Sequence, residues 1–225
     1  MEQTLASGTG LTARQKQLLE LAVSESYITD HFYLTGGTAL SSWFLHHRES
    51  YDLDFFSQQR FNYDRLIRWF RENEGGINPS AMIFDEDWGF LEVKIRYPNN
   101  ERLKVDFNHY PPHRLRKGTS WKGLTIDSIY DIAINKLQTI SERPRTRDFV
   151  DLYCILQKHP LRFQDLMRDV KKKFSERIDS LQLAKNFLKV VEYTDLPKML
   201  IPFDRKDMDA FYANLARLLK KDVFV

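Results

Sequence analysis

The chain has a single cysteine, Cys154, so it cannot form an intramolecular disulfide. Cys154 sits in the apolar run 150–156, which points to a buried thiol in a reducing, cytoplasmic setting. No stretch approaches the roughly 20 apolar residues that a membrane span needs, and residues 1–10 show no basic segment followed by an apolar core, so no secretory leader is expected. Internal repeats and low-complexity segments are also missing. A zinc centre is disfavoured, because His46-His47, His109 and His113 have no companion cysteine pair and lack the tight ligand spacing zinc uses. What is present reads as soluble and globular: 42% hydrophobic and 29% charged residues over 225 positions, enough for one large domain or two small ones.

The net charge of +3 conceals an asymmetry. Residues 1–108 hold 11 Lys and Arg against 16 Asp and Glu, whereas residues 109–225 hold 23 against 15. An acidic half suits cations and a basic half suits a polyanion, although solvated helix faces explain the same numbers. Lys171-Lys172-Lys173 and Arg114, Arg116 and Lys117 are the candidate polyanion patches, with a solvated helix face as the alternative.

Hydrophobic periodicity divides the chain similarly. An amphipathic helix is expected over 12–27, a short strand at 32–34, a helix opened by Thr38 and running to about His46, a strand at 51–56 and a helix at 62–72. Strand-like runs follow at 81–84, 90–97 and 103–107, the last two joined through Pro98-Asn99-Asn100. From residue 126 the pattern is helical, at about 127–141, 146–158, 162–176, 180–192 and 207–221. The expected architecture is α+β, a mixed sheet flanked by helices over 1–122 and a helical C-terminal domain over 123–225. Trp69, Phe70, Trp88 and Trp121 are expected in the core.

Asp52-Leu53-Asp54 carries the most chemistry. Alternate residues of a strand share a face, so the two aspartates point together while Leu53 and Phe55 point into a core. Adjacent like charges repel, and a divalent ion such as Mg²⁺, which takes oxygen ligands, removes the conflict. Taken alone, such a pair is more often a solvated strand end. In Lys104-Val105-Asp106-Phe107 the pattern recurs, and a third carboxylate on a neighbouring strand would complete a two-metal site for phosphoryl transfer. Between a strand and a helix, Gly36-Gly37-Thr38 offers close backbone approach, free N–H groups and a candidate N-cap hydroxyl for phosphate.

Read in order, Gly36-Gly37-Thr38-Ala39-Leu40, then His47-Arg48, Ser50, Asp52, Asp54, Phe55-Phe56, resembles the AbiEii/AbiGii toxin family of the DNA polymerase β-type nucleotidyltransferase superfamily. Val105-Asp106-Phe107, the helix segment Asp131-Ile132-Ala133 with Lys136-Leu137, Arg143, and Arg147-Asp148-Phe149 with Asp151-Leu152 continue the resemblance. It runs from residue 34 to 153, and the last 70 residues carry no matching motif. The chain is short for the family, which leaves room for a partner to supply surface.

The resemblance implies a polymerase β-like fold and an Mg²⁺- or Mn²⁺-dependent transfer of a nucleoside monophosphate from an NTP, with tRNA or other RNA as the acceptor. It also implies a toxin role in a toxin–antitoxin or phage-defence system and a cognate antitoxin. Asp52, Asp54 and Asp106 would hold metal, and Asp106 would hold the second ion or help deprotonate the acceptor. Gly36, Gly37 and Thr38 would bind the triphosphate, Lys136 would neutralise phosphate charge, and Asp148 and Asp151 would complete the pocket wall. From the residues themselves, Lys136 reads more readily as a snorkelling surface lysine than as a phosphate ligand. Arg48 contacts phosphate or pairs with Asp52, and Asp148 and Asp151, which share a helix face, pair with Arg145 or Arg147. Two other functions stay open: transfer to a small-molecule acceptor, as in antibiotic-modifying nucleotidyltransferases, and NTP binding without turnover.

Overall fold

A computed structural model describes residues 9–223; the reading of the N-terminus as free of a leader falls largely outside them. The chain divides into two compact units. Residues 9–44, 50–113 and 117–128 form the first, and residues 45–49, 114–116 and 129–223 form the second.

The first unit is built on one mixed sheet. Its strands are β1 (Tyr33–Thr35), β2 (Asp52–Ser57), β3 (Ala81–Asp87), β4 (Phe90–Arg96), β5 (Arg102–His109), β6 (Thr119–Trp121) and β7 (Leu124–Ile126), in the spatial order β3-β4-β5-β2-β1-β7-β6. The β2/β5 and β1/β7 pairs are parallel, and the other neighbours are antiparallel. Residue alternation separates the sheet's two faces. Leu53, Phe55, Leu91, Val93, Val105 and Phe107 are buried on one face, where Phe55 stacks on Phe107 at 4.9 Å and Phe32 and Phe70 meet Phe107 edge-on. The residues between them, on β2, β4 and β5, are polar.

The helices of this unit are α1 (Ala13–Ala22), α2 (Ser26–His31), α3 (Gly36–Leu40), α4 (Tyr63–Glu72) and α5 (Glu74–Ile77), with a π-helical turn over Ser41–Leu45. Where one helix was expected over 12–27 there are two. Thr12 and Gln15 form a capping box at the start of α1, and Glu25 accepts from the Tyr27 N–H to restart the chain as α2. After α4, the short α5 is closed by Asn78 in the left-handed region. Strands β6 and β7 were not expected.

The second unit is helical: α6 (Ile129–Glu142), α7 (Thr146–Lys158), α8 (Phe163–Phe174), α9 (Ser180–Leu188), a 3₁₀ turn over Lys189–Glu192, and α10 (Arg205–Val223). Asp179 caps α9 by accepting from the Leu181 and Gln182 N–H groups. Ile132, Leu137, Phe149, Leu152, Phe187 and Tyr212 are buried, and the Tyr212 hydroxyl donates to the Phe149 carbonyl at 2.7 Å. Cys154 is buried as expected, and burial pushes its thiol up to about 12. Among the described residues, no helix is long and apolar enough to cross a membrane.

Three expectations are corrected. Trp88 is 78% exposed, because it caps the tight β3–β4 turn, where the Arg60 guanidinium lies 4.5 Å from its ring. Lys173 is not available to a polyanion: it is buried, with its ammonium 2.7 Å from the equally buried Asp131. Asp131 also accepts the Leu115 and Arg116 N–H groups at 2.9 Å each, so these four groups satisfy one another. Thr38 does not cap a helix. Gly36, at φ +73°, turns the chain and begins α3, which leaves Thr38 inside the first turn and Thr35 at the N-cap position.

Candidate active site

The site residues expected from the sequence fall into two groups, one in each unit. Gly36, Gly37, Thr38, Asp52, Asp54 and Asp106 belong to the unit built on the sheet, and Arg48, Lys136, Asp148 and Asp151 to the helical unit.

On the sheet, parallel pairing sets Asp54 directly beside Asp106 and Asp52 beside Lys104. Antiparallel pairing of β4 with β5 adds Glu92 beside Asp106 and Lys94 beside Lys104. Two cross-strand rows therefore lie next to each other on the polar face: Glu92–Asp106–Asp54 and Lys94–Lys104–Asp52. The sequence pattern had marked the three aspartates. It had not marked Glu92, or Lys104 as a partner of all this charge, although Lys104 precedes Asp106 by the two residues that put both on one face.

Lys104 forms an ion pair with Asp106 Oδ2, and its Nζ lies 3.6 Å from Glu92 Oε2 and 3.9 Å from Asp52 Oδ2. Burial pushes the Asp106 carboxyl above its usual range; Lys104 opposes this, and Glu92 and Asp52 reinforce it. Burial also acts to lower Lys104, but the carboxylates Asp106, Asp52 and Asp54 outweigh it and hold the ammonium above its ordinary value. Asp106 is 7% exposed, and its Oδ1 is buried without a hydrogen-bond partner.

The glycine turn is fitted to this row. A Cβ at Gly36 would lie 2.2 Å from Asp54 Oδ2, so only glycine lets β1 and α3 pass this close to the carboxylate. The Thr38 hydroxyl donates to the Asp52 carbonyl, and Gln15 Nε2 reaches the Ser50 carbonyl at 2.9 Å. The first contact ties the turn, and the second ties α1, to the start of β2.

Among the described residues, no three His, Cys, Asp or Glu side chains are already gathered at metal-binding geometry. The donor set nonetheless fits a hard divalent ion. It consists only of carboxylate oxygens, one oxygen of Asp106 is buried and unpartnered, and a cation already stands among the carboxylates in the form of the Lys104 ammonium.

In the helical unit the charges close on themselves. The Arg48 guanidinium forks onto Asp151, Nε to Oδ1 at 2.6 Å and Nη2 to Oδ2 at 2.8 Å. Lys136 Nζ is 2.7 Å from both Asp148 Oδ1 and Asp151 Oδ2, and His47 Nε2 is 2.8 Å from Asp151 Oδ1. Burial would raise Asp151, but the charges of Arg48 and Lys136 override it and hold the carboxyl well below the usual range. Burial lowers His47, more than its bond to Asp151 raises it. Lys136 is therefore a buried ion-pair partner and does not snorkel at the surface. His47 belongs to this cluster, although no role was expected for it beyond the resemblance that names His47-Arg48.

A mixed sheet with carboxylates on adjacent central strands beside a glycine turn, followed by a helical part, is the architecture of nucleotidyltransferases. The chain belongs to the nucleotidyl transferase AbiEii toxin family of type IV toxin–antitoxin systems, whose family model matches residues 17–223. The match continues past residue 153, so the helical C-terminal part is also family sequence. The chain is 29% identical to an uncharacterized protein of Aquifex aeolicus over 178 residues, covering 73% of this chain and 76% of that one. Its fold is similar to the crystal structure of JHP933 from Helicobacter pylori, with a TM-score of 0.61 at 21% identity over 93% of this chain and 91% of that one. A second H. pylori structure, that of a putative nucleotidyltransferase, gives a TM-score of 0.59 at 21% identity, covering 94% of this chain and 97% of that one. Family membership implies a nucleotide substrate and an antitoxin partner.

Proposed function

We propose that the protein transfers a nucleoside monophosphate from an NTP to an RNA acceptor, tRNA first among candidates, and that this modification is its toxic act. The observation that carries the reading is the register of β2 and β5, which sets Asp54 beside Asp106 with Asp52 one step along the same face. In this reading the nucleotidyltransferase core over 1–122 binds the donor, and the basic domain over 123–225 favours a polyanionic acceptor.

Asp52, Asp54 and Asp106 would hold Mg²⁺ or Mn²⁺, which when bound supplies Lewis-acid charge to the triphosphate and to the attacking oxygen. Each remaining role falls to the chain's own groups. The backbone of Gly36 and Gly37 lets the triphosphate approach the acidic row, and Thr38 fixes that backbone to β2 by its bond to the Asp52 carbonyl. Where Asp106 does not hold the second ion, its buried carboxylate on the polar face of the sheet is placed to take the acceptor hydroxyl's proton. Arg48 and Lys136, which the resemblance assigns to phosphate, are committed to Asp148 and Asp151 within the helical unit and take a structural role in this reading. Phosphoryl transfer rests on positioning and charge neutralisation, so these groups suffice without a covalent nucleophile.

The test is incubation with Mg²⁺, total tRNA and each α-labelled NTP separately, beside an Asp52→Ala/Asp54→Ala double variant. Label on tRNA that vanishes in the variant supports the reading. Label on a small amine-rich acceptor but not on RNA moves the protein to the small-molecule class. NTP binding with no pyrophosphate release over long incubation rejects catalysis.

A further inference from the structure

We propose that Lys104 is a resident cation of the acidic row, occupying the position a divalent ion takes and yielding it only when that ion arrives with nucleotide. This rests on the reading of Asp52, Asp54 and Asp106 as metal ligands. Three observations lead to it. The Lys104 ammonium pairs with Asp106 Oδ2 and stands 3.9 Å from Asp52 Oδ2, so it reaches both strands that would share a metal. The other oxygen of Asp106, Oδ1, is buried and unpartnered, which leaves this carboxylate only half satisfied by the lysine. Glu92 offers the ammonium a place to go. Its Oε1 is held by Lys94 at 2.5 Å, while its Oε2 lies 3.6 Å from Lys104 Nζ.

An ammonium and a divalent ion compete for the same carboxylate oxygens. Displacing the lysine takes free energy that the ion alone supplies poorly, and the phosphates of an incoming nucleotide add ligands that tip the exchange. Lys104 would thus keep the row neutralised and folded without metal and make metal binding conditional on substrate. Glu92 is a positioning residue, because it acts by receiving Lys104.

The experiment is Mn²⁺ binding to the full chain by equilibrium dialysis, with and without ATP, so that Mn²⁺ held by ATP alone equalises across the membrane and only protein-bound ion is counted. Thermal melting of each protein runs in parallel. Wild type should bind Mn²⁺ weakly alone and tightly with ATP. Lys104→Met, which keeps the apolar stem, should bind Mn²⁺ without nucleotide at least about tenfold more tightly than wild type, one unit of opposing charge being removed. It should melt lower than wild type in metal-free buffer and recover on adding Mn²⁺. Lys104→Gln is the second variant should the methionine prevent folding. Glu92→Gln should weaken Mn²⁺ binding in the wild-type background and have a smaller effect in the Lys104→Met background, because its role runs through the lysine.

Equal nucleotide-free Mn²⁺ affinity in wild type and both Lys104 variants overturns the inference while leaving the metal site intact, provided ATP still promotes Mn²⁺ uptake. If no protein takes up Mn²⁺ even with ATP, the metal-site reading itself falls, and the inference falls with it.

Discussion

In the helical unit, Asp148 and Asp151 meet Arg48 and Lys136, two anions against two cations, with His47 adding a contact to Asp151. On the sheet, Asp52, Asp54, Asp106 and Glu92 meet Lys104 and Lys94, and Lys94 is shared with Asp85. Both groups are built from carboxylates and basic side chains. They differ in charge balance. The first sets two cations against two anions at ion-pair distance, although Asp148 Oδ2 and His47 Nδ1 are buried without partners; the second carries excess negative charge and a raised aspartate. Buried charges persist when balanced, and an unbalanced set marks a place where a cation is due. The comparison assigns stability chiefly to the helical cluster and chemistry chiefly to the sheet.

The strongest way to break that assignment is to neutralise each group in turn. Asp52→Asn/Asp54→Asn should lower nucleotidyl transfer by about 10³-fold or more, since it removes the charge that orients the donor. The melting temperature without metal should stay level or rise, because like charges on adjacent strands are relieved. Asp151→Ala should do the opposite at the level of folding. It leaves Arg48 and Lys136 buried without their shared partner, a loss of about 3–5 kcal/mol, read from urea denaturation. A stable Asp151→Ala protein, or an unstable double asparagine variant, would reverse the two roles.

How much of this contrast could be read in advance follows from the range of each interaction. Side-chain alternation exposed the acidic face, because period two is a local property and Leu53, Phe55, Val105 and Phe107 declare the other face. Asp52, Asp54 and Asp106 were therefore legible, and so were the five long helices after residue 126. The partner of Asp151 was not. Arg48 lies 103 residues away, and no local pattern distinguishes a guanidinium aimed at Asp151 from one aimed at phosphate. Lys104 was visible as a neighbour of Asp106, but its position among three carboxylates depends on how β4, β5 and β2 register. The β6–β7 hairpin escaped because its two-residue turn is Lys122-Gly123, both at positive φ, rather than the Asn-Gly that signals such turns. Trp88 was misplaced because a tryptophan at a turn reads in sequence like one in the core.

A substitution at Gly36 sharpens the sheet side of the comparison. Gly36→Ala places a methyl 2.2 Å from Asp54 Oδ2 and an L side chain at φ +73°. The left-handed conformation alone costs about 1–2 kcal/mol, and the displaced carboxylate should reduce transfer further. The expected result is a modest fall in melting temperature with a fall in rate larger than the lost stability accounts for. Equal losses in both would show that the glycine serves the turn and not the acidic row.

The pH dependence of stability separates the clusters again. Asp151 has a depressed folded pKa, so its contribution is complete above the unfolded value of about 3.9 and is lost as pH falls below it. His47 is also depressed, by burial. The unfolded chain therefore binds a proton that the folded chain refuses, and stability declines as pH drops below about 6.5. His47→Gln should flatten the slope of unfolding free energy between about pH 6.5 and 5 while leaving the acid limb below pH 4 in place.

The smallest effect is a change in the rate of a chemical probe. Cys154 lies three residues beyond Asp151 on α7, and burial, with Asp151 reinforcing it, pushes its thiol up to about 12. At pH 8 in native buffer the wild-type thiol should resist an aromatic disulfide reagent, reacting only as fast as the helical unit opens. Arg48→Met removes the fork that holds Asp151 and leaves the carboxylate to Lys136 and His47, so opening should become more frequent and labelling faster by several-fold. Asp54→Asn, a change in the sheet unit, should leave the labelling rate where it was. Acceleration by both variants would mean that the two charged groups share one cooperative unit, and the division of labour between them would no longer hold.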